Sequence, residues 1–281
     1  MKRCISVETG EQLHEVLREE MLPERLYLPL SFWMDERTEA ALREIPAQTE
    51  IFAALPFVFR EEQGSRAERD LRRLLSGDAG DGPAISGVLA RSLEELAFLT
   101  EAGYDGIREA DQQIPFWNSR ALSETAALFN EWTLSPELNR HEIAELLGAC
   151  GEMRENACLI IYGRTPMMVS AGCVRKTNGR CTGSGRETGF TEFLRDRKGK
   201  NIPVTGDCRF CYNVIRNAVP TSLHRFRKEI RALGIGRVRL DLTSEDAREA
   251  RAALALFRPE NGGGETDTLE TTNGRFVHGV E

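Results

Sequence analysis

The sequence predicts an α/β protein, a TIM-like (β/α)8 barrel with a cysteine-rich insertion after the seventh strand. Eight short apolar runs recur along the chain, each bounded by Gly, Pro or charge, as buried parallel strands tend to be. A helix-like stretch separates each run from the next, which is the alternation of a closed barrel. No G-x-G-x-x-G follows the first run, so an open doubly wound sheet comes second. The 281 residues are expected to divide into a barrel domain over 1–258, insertion 164–222 included, and a tail over 259–281.

In chain order, the expected strands are Cys4–Val7, Arg25–Leu28, Ile51–Leu55, Ala84–Leu89, Gly106–Arg108, Trp132–Leu134, Cys158–Tyr162 and Val238–Leu242. The expected helices are Gly10–Glu20, Glu36–Arg43, Arg66–Leu75, Ser92–Glu101, Ser119–Phe129, Arg140–Leu147, Leu223–Leu233 and Ser244–Phe257. Ser92-x-x-Glu95 has the form of a capping box, and Ser244 before Glu245 and Asp246 reads as a second helix start. The tail opens on Asn-Gly-Gly-Gly, a linker, and ends with a short expected strand at Phe276–Val277.

Hydrophobic content of 41% and charged content of 29% are those of an ordinary soluble domain. No apolar run is long enough to span a membrane. The start, MKRCISVETGEQLHEVL, lacks the apolar core of a secretory signal. A cytoplasmic, reducing location is expected, where clustered cysteines serve as metal or redox ligands rather than disulfides. The net charge of −7 is unevenly spread. Residues 171–231 carry fourteen Lys/Arg against five Asp/Glu, a net of +9, which leaves −16 on the rest. Such a local field favours an anionic ligand, for example RNA or a carboxylate.

Within that basic stretch lie Cys173, Cys181, Cys208 and Cys211, spaced C-x7-C-x26-C-x2-C. Four thiolates suit a structural zinc ion or an iron–sulfur cluster, and the spacing fits both. Cys4, Cys150 and Cys158 stand among apolar neighbours and read as small buried hydrophobes. There is no G-x-S-x-G elbow and no H-E-x-x-H pair, so neither a serine hydrolase of that type nor a zincin is supported. Barrel geometry aims polar residues at strand ends into the pocket. The substrate-binding candidates are Arg60, Asn118, Glu137, Tyr162 and Arg164, with Glu61, Glu62, Asp111 and Ser135 beside them. Arg60 and Arg164 have the fork that holds a carboxylate or phosphate.

The runs IIYGRTPMMVSAGCVRKTNGRC and FLRDRKGKNIPVTGDCRFCYNVIRNAVPTSL resemble the peptidase U-32 family of collagenase-like proteins. The shared pattern covers Tyr162–Cys173, Leu194–Val204 and Cys208–Asn213. Weaker echoes are LPFVFREE, FWNSRAL, TLSPELN and the ending TTNGRFVHGVE. The chain is similar to the C-terminal half of longer members, and a partner subunit supplying the N-terminal half is one expectation. The resemblance implies a TIM-like fold and a 4Fe–4S cluster on Cys173, Cys181, Cys208 and Cys211. It also implies a part in hydroxylations that use no O2, on RNA or a small aromatic substrate. A collagenase-like peptidase and a non-catalytic subunit with structural zinc are the alternatives. Where the family pattern carries Glu, before YG, this chain has Cys158, so a peptidase acid/base is missing there.

Overall fold

The structure is a computed structural model and describes residues 1–58, 69, 71–77, 82–183, 189–258 and 269–279. Arg60, Glu61 and Glu62 lie outside the described residues, as does part of the expected helix Arg66–Leu75, of which residues 71–75 are helical.

Thirteen strands are described: β1 (Lys2–Ser6), β2 (Arg25–Pro29), β3 (Glu50–Ala54), β4 (Gly87–Ala90), β5 (Ile107–Ala110), β6 (Glu131–Thr133), β7 (Ala157–Gly163), β8 (Pro166–Ser170), β9 (Gly189–Arg195), β10 (Asn201–Asp207), β11 (Tyr212–Arg216), β12 (Thr221–Ser222) and β13 (Arg237–Asp241). Strands β1 to β7 pair in parallel in sequence order, and β13 joins β7 to β1. The sheet is therefore a closed eight-stranded parallel barrel, as the sequence predicts.

Every expected barrel strand is present, but β5, β6 and β13 are shifted by one or two residues and so take in Glu109, Glu131 and Arg237. Glu109, Glu131, Arg237 and Arg239 belong to the strands because the barrel interior is itself charged. Alternation along each strand splits two faces. Outward residues such as Ile5, Leu26 and Val88 form the main core against the helices. Inward residues form a small apolar cluster of Cys4, Tyr27, Phe52, Ala54 and Leu89, among buried arginines and carboxylates. An apolar-run reading cannot see strand ends of this kind.

The helices begin where caps hold them. Ser92 and Glu95 make the expected capping box ahead of Leu93–Glu101, and Thr9–Gln12, Asn139–Glu142 and Asp246–Glu249 make three more. The last corrects the expected start at Ser244: the cap is Asp246, and the helix is Ala247–Ala255. Burial of Ala250, Ala253 and Leu254 at helical spacing fixes its inner face.

The insertion is a four-stranded antiparallel sheet, ordered β8-β11-β10-β9, and not a long loop. The tail also differs from expectation. Phe276–Val277 lies in a turn, not a strand. Thr272 instead bridges Thr221, and Phe276 is buried against Phe226, ring centres 5.3 Å apart. Residues 269–279 thus pack onto the barrel.

Candidate functional site

The C-terminal ends of the barrel strands form one face, the face on which barrel enzymes build their sites. A ladder of ions runs up the barrel to reach it. At the lower end, Arg25 donates to Glu50 and, at 3.0 Å, to Glu109, pairs with Glu131, and lies 3.7 Å above the Phe52 ring. The Tyr27 hydroxyl donates to Glu109 at 2.6 Å. Arg237 pairs with Glu131 at 2.5 Å. Arg239 carries the ladder upward, donating to Asp111 at 2.6 Å and to Asp241 at 2.7 Å. Arg91 then closes on Asp111 at 3.3 Å and on the Leu55 carbonyl at 2.6 Å.

Burial alone would raise the pKa of every carboxylate here. For Glu109 the charges of Arg237, Arg25 and Arg239 outweigh burial and hold the carboxyl below its ordinary value. Arg239 and Arg91 do the same for Asp111. At Asp241 burial prevails over Arg239, and the carboxyl is raised. Gly163, at φ +149°, brings the β7 backbone beside Asp241, and a Cβ there would stand 2.8 Å from the Asp241 Cβ.

Among the described residues three cavities open on this face, the largest of about 890 Å³ over β1, β2 and β13 beside Phe190 and Phe193. One, of about 100 Å³, lies between the mouth and the insertion sheet, lined by Glu8, Phe57, Arg91, Asp207, Tyr212 and Arg216. Arg216 donates to Glu8 at 3.1 Å, and the Tyr212 hydroxyl accepts from the Phe57 backbone at 3.1 Å. Burial raises Asp207 to about 6, against the opposing backbone N–H groups of Phe210 and Arg209. The second cavity, of about 590 Å³, lies over β5 to β7, with Gln112, Ser135, Glu137, Arg164 and Asp241 on one side and Phe276 from the tail on the other. Its size suits a small-molecule ligand.

The substrate candidates fare differently. Glu137 and Arg164 line the 590 Å³ cavity. Arg164 pairs with Glu245 at 3.4 Å and donates to the Asn217 and Ala218 carbonyls, so its charge is engaged within the fold. Tyr162 does not reach the mouth. The register between β13 and β7 shifts so that Leu240, not Asp241, faces Tyr162. The extra residue turns Tyr162 outward, where it is fully buried and its hydroxyl donates to Glu245 at 3.2 Å. Counting by twos from Cys158 could not anticipate that bulge. Asn118 caps the helix Ser119–Thr125, accepting from the Ala121 N–H at 2.9 Å, and is exposed. Glu8, Arg91, Asp207, Arg216 and Asp241 carry most of the mouth and were not singled out from sequence. Arg91 and Asp241 do follow or end expected strands, which is the signal that was present.

The cysteines belong to one end of the insertion sheet. Cys208 and Cys211 lie in the turn joining β10 to β11, and Cys211 adopts φ +55°. Cys173 caps the short helix Val174–Thr177. Asn213, two residues past Cys211, donates to the Gly172 carbonyl at 2.5 Å and accepts from the Val174 N–H at 3.3 Å, so both neighbours of Cys173 are tied to β11. Cys181 is exposed eight residues further on. Tyr212, Val214 and Arg216 line the mouth, so alternation puts Asn213 and the segment it holds on the opposite face of the sheet.

Among the described residues, no three His, Cys, Asp or Glu side chains stand close enough to hold one metal ion. A tetrahedral zinc takes all four sulfurs about 2.3 Å from one point. An iron–sulfur cluster takes each cysteine on a separate iron. Cys173, Cys208 and Cys211 stand at one end of the sheet, and four thiols are the donor type that either centre takes.

Comparison with known proteins agrees on the class first, a TIM-like barrel. The particular fold is then that of the U32 peptidase Mk0906, with TM-score 0.50 at 12% identity over 88% of this chain and 94% of that one. A chitinase from Rhizomucor miehei (TM-score 0.44, 10% identity, 91% of this chain and 99% of that one) and the spore cortex-lytic enzyme SleL from Bacillus cereus (0.42, 9%, 92% and 74%) are more distant. No family model matches the chain, and no curated protein does. Among the described residues no helix is long and apolar enough to cross a membrane.

Proposed function

We propose that the chain is a U32-family protein whose insertion carries a 4Fe–4S cluster on Cys173, Cys181, Cys208 and Cys211. In this reading it supports O2-independent hydroxylation or modification of a small aromatic ring or an RNA base. The cluster would supply or relay electrons, and the substrate ring would occupy the 590 Å³ cavity.

One observation carries the reading. The turn that holds Cys208 and Cys211 also supplies Phe210, and is flanked by Asp207 and Tyr212, to the chamber under the insertion sheet. The proposed centre would thus stand on the turn that closes the 100 Å³ chamber beside the mouth. Glu137 and the Gln112 amide offer polar contacts on the cavity wall, while Ile160 and Leu159 give it an apolar floor. The paired state of Arg91, Arg164 and Arg216 keeps the mouth close to neutral, which suits an uncharged ring more than a free anion.

The peptidase alternative draws no support from the site. Cys158 is buried inside the barrel and its thiol pKa is raised by burial, so it is no nucleophile at neutral pH.

Anaerobic purification should give a brown protein with iron and sulfide in equal amounts and an EPR signal on reduction. Cys208→Ser should abolish the signal while the barrel stays folded by circular dichroism. A colourless protein holding stoichiometric zinc, or cleavage of gelatin by the pure chain, would reject the reading.

A further inference from the structure

The β9–β10 turn of the insertion sheet, with the strand leading into it, has a distinct chemistry. Strand register brings it together. β9 pairs Phe193 with Pro203 and Leu194 with Ile202 of β10, while β11 pairs Ile215 with Met168 and Val204 with Ile215. Phe193 and Leu194 lead into the β9–β10 turn, and Met167 and Met168 lie at a similar level on β8, the opposite edge of the sheet. Their exposures are 59%, 44%, 57% and 57%. The other large apolar side chains found exposed, apart from the adjacent Val169, are scattered singly at Met1, Met21, Leu93 and Trp117.

The β9–β10 turn carries Arg195, Arg197, Lys198 and Lys200, all exposed. Its shape is fixed. Asp196 accepts from the Lys198 and Lys200 N–H groups, both at 2.8 Å, and Gly199 takes φ +80°. Asp196 is thus spent on the turn. Lys200 pairs with Glu270 of the tail at 3.0 Å. Glu192, the other acidic residue of β9, is held by Arg175 and Arg180. Three cations remain without an acidic partner among the described residues, beside the exposed Phe193 and Leu194 of β9.

We propose that this end of the insertion docks on an anionic lipid surface. Cations flanked by aliphatic and aromatic side chains are the composition of an interfacial anchor. Nucleic acid would pair its phosphates with the same cations but leave Met167, Met168 and Leu194 uncovered, which favours lipid. The inference does not depend on the cluster or on the activity proposed above.

The test is sedimentation of the full chain with vesicles of phosphatidylcholine alone and of phosphatidylcholine mixed with phosphatidylserine. Binding should require phosphatidylserine and fade as salt is raised. Each cation removed should weaken it about fivefold, so Arg195→Ser/Arg197→Ser/Lys198→Ser should lose on the order of a hundredfold. Phe193→Ser/Leu194→Ser should also bind more weakly, with unchanged melting. The proposal is overturned if the chain ignores phosphatidylserine vesicles at low salt, or if the triple variant binds them as well as the parent. It is equally overturned if the same variants abolish binding to single-stranded RNA or break up a lipid-free dimer while vesicles stay unbound.

Discussion

Glu95 shows how much one side chain can impose. It sits at the third helical position behind Ser92, accepting from the Arg91 and Ser92 N–H groups at 2.6 and 3.2 Å. Burial raises its carboxyl to about 8 from an ordinary 4.5. Across that window the folded chain holds a proton the unfolded chain has released, so its contribution is complete at low pH and is lost as pH rises toward 8. Glu95→Gln should therefore flatten the decline in stability between about pH 5 and about pH 8, read by urea unfolding at each pH. An unchanged slope would place the titration elsewhere. Glu109 is the reverse case, a carboxylate kept charged by three guanidinium groups. Glu109→Gln leaves Arg25, Arg237 and Arg239 under-compensated in the barrel, and should cost about 3–5 kcal/mol in urea unfolding. Sequence reading named neither residue's environment. Ser92-x-x-Glu95 was legible as a cap because capping is local. The Glu109 network joins strands far apart in sequence, and only barrel closure brings them together.

Elements were legible where their signals are local and less so where pairing makes them. The eight barrel strands and the helix Glu36–Arg43 follow from apolar runs and caps. The insertion sheet does not, because β9 reads GFTEFLR, with too few apolar residues to mark a strand alone; it exists through its register with β10. The β10–β11 turn tests the proposed centre at this scale. Cys211 holds φ +55°, a left-handed conformation that costs a non-glycine residue about 1–3 kcal/mol. If the thiol served no ligand, Cys211→Gly would relieve strain and raise the melting temperature. The cluster reading predicts the opposite for anaerobically prepared protein: loss of the cofactor and a lower melting temperature than the parent. Arg164 gives a second element-level prediction. It ties β7 to Glu245, whose side chain is 1% exposed. Arg164→Ala removes the cation from Glu245, which keeps its bonds from Tyr162 and Thr243, and should cost about 1–3 kcal/mol, whereas Glu137→Gln, an exposed change on the same cavity, should leave melting unaltered.

On the scale of the whole molecule, the charge partition read from sequence has a structural meaning. The acidic part is the barrel and its helices. The basic part is largely the insertion sheet, with cations both among its cysteines and on the β9–β10 turn, and its inner face lies on the barrel mouth. The fold class was legible because alternation of strand and helix is a property of the whole chain. The mouth was only partly legible, since a register shift removed Tyr162 and ion pairing engaged Arg164, while Glu8, Arg91 and Arg216 drew no attention as isolated residues. The cysteine set was visible as a spacing, and the tether through Asn213 adds a reason for Cys173 to lie beside the C-x2-C turn.

The direct measurement is the iron, sulfide and zinc content of the full chain purified without oxygen, with an EPR spectrum after reduction. The account predicts about four iron and four sulfide per chain, a reduced-cluster signal, and loss of both in Cys208→Ser. Zinc in their place, or a metal-free protein that melts no differently from Cys208→Ser, would contradict it.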